Sequence, residues 1–212
     1  MAAISHRLSP CYYLPDYVGA AMTVEPITYL QAYDLVSRFH YLGKTRFVSQ
    51  FRYGLYDDMD LVGAVIYQPL AAPNSATSAF GLPRGNYKEF VEMSRLVLEP
   101  NLNGKNYGSM LISKSIRFLK QEGIKAVLSY ADSSRHVGMV YQASNFGYYG
   151  LTAAKCDYQM PDGTIKQRGK TKGMGGQWIP RTRKHRYLYL IDKTLEVKWA
   201  KEPYPKKMEE YA

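Results

Sequence analysis

Residues 89–130 read EFVEMSRLVLEPNLNGKNYGSMLISKSIRFLKQEGIKAVLSY. From Glu89 to Leu98 apolar positions such as Phe90, Met93 and Leu96 are set among polar partners, and Pro100 stops the run, so this segment is expected to be a strand ending in a turn. From Asn106 to Gln121 the period changes. At about 100° per residue, Tyr107, Gly108, Leu111, Ile112, Ser115, Ile116, Phe118 and Leu119 fill one half of a helix, with Ser109, Ser113, Arg117, Lys120 and Gln121 on the other. Gly123 stands where a helix stop is expected, and Ile124–Tyr130 is a short apolar strand. Together these segments form a strand, turn, helix, strand unit whose second strand should run parallel to the first.

The flanking sequence extends that unit on both sides. Met1–Val24 is an irregular lead-in, and Pro26 is expected to open a helix through about His40, burying Ile27, Leu30, Leu35 and Phe39. Phe47–Leu55 and Leu61–Tyr67 are β-rich and joined by the polar segment Tyr56–Asp60, which predicts an antiparallel pair. Ala71–Asn86 collects Pro, Gly, Ser and Asn and reads as a loop. Downstream, Ser133–Asn145 reads as a helix, Tyr148–Met160 as a strand, Pro161-Asp162-Gly163 as a turn and Arg186–Ile191 as a final strand. No internal repeat is visible. Gly169–Gly176 is a basic, Gly-rich loop near the C-terminus, and the polar tail 198–212 is expected to fray. The whole chain, 1–212, is expected to be one domain with its core at about 25–192.

Composition narrows the function. With 212 residues, 46% hydrophobic and 22% charged, the chain can bury a core and is neither fibrous nor disordered. Its longest weakly polar stretch, Leu61–Pro73, is 13 residues long and contains Gln68, short of the roughly 20 that a membrane helix needs. Pro10, Pro15 and Asp16 interrupt any secretory leader, so a cytoplasmic location is expected. Cys11 and Cys156 belong to no pair motif, which argues against a disulfide framework or zinc finger. Twenty-eight Lys and Arg oppose 18 Asp and Glu, a net +10. Lys166–Tyr187 holds Lys166, Arg168, Lys170, Lys172, Arg181, Arg183, Lys184 and Arg186 and no acid. Eight cations interleaved with Trp178, His185 and Tyr187 fit a phosphate backbone, although a solvated loop is the plain structural alternative.

An N-terminal helix, an antiparallel hairpin, a strand leading through a Gly-containing turn into a helix, then a parallel strand and another helix resembles the GNAT acyltransferase fold: a mixed α/β sheet flanked by helices. In that fold, the amides of the turn and helix start hold the pyrophosphate of coenzyme A. The turn here is Asn103-Gly104-Lys105-Asn106-Tyr107-Gly108-Ser109. The family asks for Arg or Gln, two free positions, Gly, one free position, then Gly or Ala. Gly108 matches; Asn103 and Asn106 depart, although Asn tolerates a left-handed backbone. The stretch Leu128–Gly150, with Asp132, His136, Gly138, Tyr141 and Asn145-Phe146, together with His40-Tyr41-Leu42-Gly43 and Glu92-Met-Ser-Arg95-Leu96, resembles the Mom family of phage DNA-modification proteins. Those GNAT-like enzymes attach a carbamoylmethyl-type group to the exocyclic amine of adenine in DNA and so block host restriction.

Several side chains carry two readings each. Asp132, ending a strand, either caps the next helix or, as the resemblance implies, acts as base or substrate anchor. Tyr141 shares a helix face with Asn145 and Val137. It is either a half-buried aromatic or the general acid for a leaving thiolate. His40 closes the first helix, where an imidazolium suits the dipole; with Tyr41 it otherwise contacts an extruded base or a metal. His136 falls on the apolar face with Met139, Val140 and Ala143, as a satisfied core histidine does. Arg95 and Leu96 lie beside the turn, Arg95 being either a surface residue or a reader of donor phosphate or carboxylate. A base must leave the duplex to react, and Tyr41, Tyr53 and Tyr149 are candidate stackers.

The resemblance therefore implies an acyltransferase-like enzyme that modifies adenine in double-stranded DNA with acetyl-CoA or another acyl donor. It leaves open a redox metal such as iron, although His40, Asp132, His136 and Cys156 show no ligand spacing. Two alternatives remain: an acetyl-CoA-dependent N-acetyltransferase acting on a protein or small amine, and a non-catalytic nucleic-acid-binding protein on the same scaffold.

Overall fold

The computed structural model of the protein describes residues 22–41, 43–72, 74–85, 87–166 and 173–206. Strand β4, Phe90–Leu98, is followed by a short 3-10 turn and then by helix α3, Tyr107–Gln121, and strand β5, Ala126–Asp132, runs parallel to β4. It is the only parallel pair among the described residues. Antiparallel partners extend it on both sides: β1 (Thr23–Pro26), β2 (Phe51–Asp57) and β3 (Asp60–Pro69) beside β4, then β10 (Lys184–Leu190) and β6 (Gly147–Leu151) beside β5. The order across the seven-stranded sheet is β1-β2-β3-β4-β5-β10-β6. Strands β7 (Lys155–Gln159), β8 (Ile165–Lys166) and β9 (Gln177–Arg181) form a three-stranded sheet in the order β8-β7-β9.

Helices cover both faces. On one, Leu111, Ile112, Ile116 and Leu119 of α3 pack on Val65, Tyr67, Val91, Met93 and Val127, all of them buried. The Tyr67 hydroxyl and Ser115 Oγ, 2.7 Å apart, satisfy each other inside this layer. The opposite face is covered by α1, Tyr29–Phe39, over Ala64, Ile66 and Val97, and by α2, Asn74–Phe80, over Phe90, Ala126 and Leu128.

Four expectations change at this level. Pro26 ends β1, an edge strand that tolerates its missing N–H, and the helix starts three residues later. Thr28 caps it: its Oγ1 accepts from Gln31 N at 3.3 Å while Gln31 Oε1 accepts from Thr28 N at 2.9 Å. Leu30 consequently points outward, 76% exposed. The stretch expected to be a loop at 71–86 contains α2, whose Ala76, Ala79 and Phe80 are buried; tertiary packing overrides a turn-like composition. The run 148–160 is two strands in two different sheets, broken at Thr152–Ala154. The segment 198–206 is tied down rather than frayed, with Lys198 N donating to Ala79 O, Glu202 N to Tyr148 O and the Tyr204 hydroxyl to Phe146 O. Residues 167–172, with Arg168, Lys170, Lys172 and the first half of the Gly-rich loop, lie outside the described residues, as do Leu42 and the end of the tail. Among the described residues no helix is long and apolar enough to cross a membrane.

Candidate active site

The site is opened by a change of partner. Strand β4 pairs with β5 from Phe90 and Ala126 as far as Met93 and Ser129. Beyond that point β4 continues against β3 to Leu98, while β5 continues against β10 to Asp132. A register shift leaves Ser94 as an extra residue between Met93, opposite Tyr67, and Arg95, opposite Ile66. Such a bulge bends its strand, and it reverses which face the residues after it meet. The two parallel strands therefore part beyond Met93 and Ser129.

On the α3 face the gap leads to a cavity of about 410 Å³ under the helix N-terminus. Leu96, Asn103, Gly104, Asn106, Tyr107, Gly108 and Ser109 line it with Met139, Val140 and Ala143, whereas the exposed Lys105 flanks it. Asn106 takes the left-handed conformation, φ 61°, and makes no side-chain cap, so the first-turn amides of α3 are left for a ligand. Gly104, φ 77°, has nothing within 4 Å of the place a Cβ would occupy. Gly108 differs: its Cβ would meet Val140 Cγ2 at 3.0 Å, so its small size serves the packing of the helix 139–143 as well as the cavity wall. The uncapped amides, the apolar Leu96, Met139 and Val140 and the volume fit a pyrophosphate followed by an extended thiol arm.

The Ser133–Asn145 segment is mostly turn; its helix, α4, covers only Met139–Ala143. Gly138 makes the sharp entry at φ 78°, where a Cβ would lie 2.7 Å from Tyr187 and 2.9 Å from Tyr141. Tyr141 is buried against Phe146 and Tyr187, with its phenol hydrogen-bonded to Ser129 at the gap. Burial raises its pKa, which keeps the proton on. The helix-wheel pairing with Asn145 does not hold. Asn145 is exposed, left-handed at φ 61°, and lines neither cavity; it closes the short helix. His136 is likewise off the helix and exposed, its Nδ1 accepting from Gly138 N at 3.2 Å.

The opposite face is polar. Glu92 and Arg95 project there with Ile66, and Tyr130 and Asp132 project with Leu128. Half-buried Glu92 accepts from Ala71 N at 3.2 Å; burial raises its pKa, against the pull of Lys184 and Arg95. Its charge adds to the upward shift that burial first gives the Tyr141 phenol. Asp132 Oδ1 accepts from Ser134 N at 3.1 Å and Ser134 Oγ at 2.8 Å, so this oxygen holds the turn. His40 does close α1, but burial first and Arg95 second lower its pKa to about 4, so the ring is neutral rather than an imidazolium. Tyr41 stacks on it at 4.4 Å and carries the Arg135 guanidinium at 4.4 Å on its ring. Tyr41 is 59% exposed, unlike Tyr53 and Tyr149, which are buried, Tyr53 within the α3 core and Tyr149 against Trp199. Arg95 belongs to this face, with its NH1 on Ser94 O, and not to the helix-start cavity.

A second cavity, about 360 Å³, lies on this face between α2, the ends of β5 and β10, and Trp199. Glu92 and Tyr130 line it with Lys155, Arg181, Lys184 and Arg186. Within the basic segment, Lys166, Arg181, Lys184 and Arg186 lie in strands and Arg183 in the connection between β9 and β10. Arg181 sits 3.8 Å from Asp157, Arg183 Nε donates to Thr152 O at 2.7 Å, and Arg186 lies over the Trp199 ring at 4.7 Å. Sequence reading missed Glu92 as a site residue and missed Lys155, Tyr130 and Trp199 altogether. Glu92 had one signal, an acid set between Val91 and Met93 in an apolar strand. The metal candidates do not converge: among the described residues no group of three His, Cys, Asp or Glu is placed to hold a metal ion.

Comparison with known proteins agrees with the geometry. The model of the Mom protein family matches residues 21–206. Among solved structures, the ribosomal-protein-S18-alanine N-acetyltransferase of Escherichia coli superposes with a TM-score of 0.52 at 12% identity, over 81% of this chain and 94% of that one. A probable acetyltransferase of Staphylococcus epidermidis gives 0.50 at 10% identity, over 81% and 99%. At those identities the likeness is one of fold. No curated protein sequence matches the chain.

Proposed function

The chain belongs to the Mom protein family and has the fold of the GNAT acetyltransferases; from that premise we propose that it transfers an acyl group to the exocyclic amine of adenine in DNA. The observation that carries this reading is the gap between β4 and β5. On one face of the sheet it lies beside a helix-start cavity suited to an acyl-CoA donor, and on the other beside a polar, cationic cavity suited to a nucleic acid. An acyl thioester supplies an activated carbonyl and a thiolate leaving group. The α3 amides and Asn103–Ser109 bind its phosphates, and Leu96, Met139 and Val140 enclose its arm.

In the acyl-transfer step the adenine amine forms a bond to the carbonyl carbon and the carbon–sulfur bond breaks. Glu92 accepts the amine's proton, for which its raised pKa suits it. Tyr141, on the donor side, gives its proton to the departing sulfur and is reprotonated from solvent. Asp132 fixes the 132–136 turn, and burial, with Arg95 second, holds His40 neutral beside Tyr41. Lys166, Arg168, Lys170, Lys172, Arg181, Arg183, Lys184 and Arg186 supply the phosphate-facing charge.

Mass spectrometry of nucleosides from plasmid DNA expressed with the protein tests this. A new adenosine-derived nucleoside is expected. Acetylated protein or amine with unmodified DNA would favour an ordinary N-acetyltransferase, and DNA binding with no product would favour a binding protein.

A further inference from the structure

Resting on that reading, and specifying its acceptor site, we propose that the cavity between α2, β10 and Trp199 seats the extruded target nucleotide. The base lies against the Trp199 indole, and the phosphate beside it is held by Lys155, Arg181 and Lys184. Four observations converge on this.

The first is charge. The cavity gathers Lys155, Arg181, Lys184 and Arg186, four cations against the single carboxylate of Glu92 among the described lining residues. The second is placement. Lys155 and Arg181 stand opposite each other across β7 and β9, and Lys184 begins β10 opposite Asp132, with its amide donating to Thr152 Oγ1 at 2.9 Å. Three backbone-fixed cations of separate strands facing one space form a preorganised anion site, unlike lysines scattered on a surface. The third is the indole, held by its Nε1–H to Ser78 Oγ at 2.7 Å and by the Arg186 guanidinium, so that a flat apolar wall adjoins the cations. The fourth is depth. Glu92 lines the same cavity and lies at the parting of β4 and β5, so a base entering past Trp199 brings its amine toward the carboxylate that accepts the proton. At about 360 Å³ the cavity falls within the range of small-molecule sites, roughly 300–1,000 Å³. A free polyanion would need the cations alone; the adjoining aromatic wall and buried acid fit a nucleotide.

The test is a binding measurement that needs no turnover. The chain has two tryptophans, so Trp178→Phe leaves Trp199 as the sole indole of the intact protein. Titration of that variant with dAMP should quench Trp199 fluorescence, deoxyadenosine should bind more weakly, and inorganic phosphate should compete with dAMP without quenching. Lys155→Ala, at an exposed strand position where folding is safe, and Arg181→Ala with Lys184→Ala should each weaken dAMP by about tenfold while leaving deoxyadenosine unchanged. No quenching by dAMP, or dAMP affinity indifferent to all three cations, overturns the assignment. Phosphate binding as tightly as dAMP would reduce the cavity to an anion site and overturn it too. Modified adenine in plasmid DNA together with a silent Trp199 would sink this cavity and leave the enzyme reading intact; dAMP binding with unmodified DNA would do the reverse.

Discussion

The two cavities on either side of the sheet are assembled in opposite ways. The helix-start cavity draws on Leu96–Ser109 and Met139–Ala143, two short runs of sequence, and its chemistry is backbone amides and apolar side chains. The other draws on α2, β4, β5, β7, β9, β10 and the C-terminal segment, and its chemistry is charged side chains that meet only in the folded chain. A contiguous site tolerates side-chain variation, because amides belong to every residue. That is how Asn103 and Asn106 stand where the GNAT pattern has Arg or Gln and Gly. A discontinuous site depends on each side chain, and its variants should show larger and more separable effects.

The largest effect is expected at the point where the two sides meet. Glu92→Gln keeps size and the Ala71 contact but removes the proton acceptor, and should lower the transfer rate by about a hundredfold or more with an unchanged melting temperature. Asp132→Asn, whose Oδ1 serves a turn, should cost less in rate and more in thermal stability; the reverse order would restore Asp132 as the base. Tyr141→Phe comes next, with a loss of about tenfold to a hundredfold that shrinks for a donor with a better leaving group. On the donor side, Lys105→Glu places a negative charge beside the uncapped α3 amides and should raise the KM for an acyl-CoA by about tenfold while leaving DNA affinity unaltered. On the DNA side, replacing Lys155, Arg181 and Lys184 by Ala removes the hold on one phosphate and should reduce the magnitude of the slope of log affinity against log salt by about 1 while weakening all sequences alike. An unaltered slope would place the DNA surface elsewhere.

The smallest effect concerns His40. Unfolded, it takes up a proton near pH 6.5; folded, only near pH 4, so between those values the unfolded chain binds more protons. Stability from this residue is therefore present above pH 6.5 and lost as pH falls toward about 4. His40→Gln should flatten the fall in melting temperature over that window.

The same contrast explains what the sequence made legible. The β4–α3–β5 unit is local, so periodicity and Gly123 located it to within a few residues, and the Mom signature adds family membership. Helix α2 was hidden because Asn74–Phe80 is made of turn-favouring Ser, Thr and Asn, and it becomes a helix by burying Ala76, Ala79 and Phe80 on the sheet. The 133–145 segment deceived in the other direction: its helical periodicity is real over five residues, while Asp132, Ser134 and Gly138 build a turn ahead of them. Glu92 was quoted in a motif yet given no role, since what it faces is set by its pairing with β3 and by the cations of distant strands that share its cavity, neither of which leaves a pattern in composition.

If donor and nucleic acid occupy opposite faces and meet only at the gap between β4 and β5, the protein should form a ternary complex. Isothermal titration of coenzyme A into the protein alone, and into protein saturated with an adenine-containing DNA duplex, measures this directly. The account predicts one coenzyme A per chain in both titrations, with affinities within a fewfold of each other. Loss of coenzyme A binding in the presence of the duplex, or no binding to either, would contradict it.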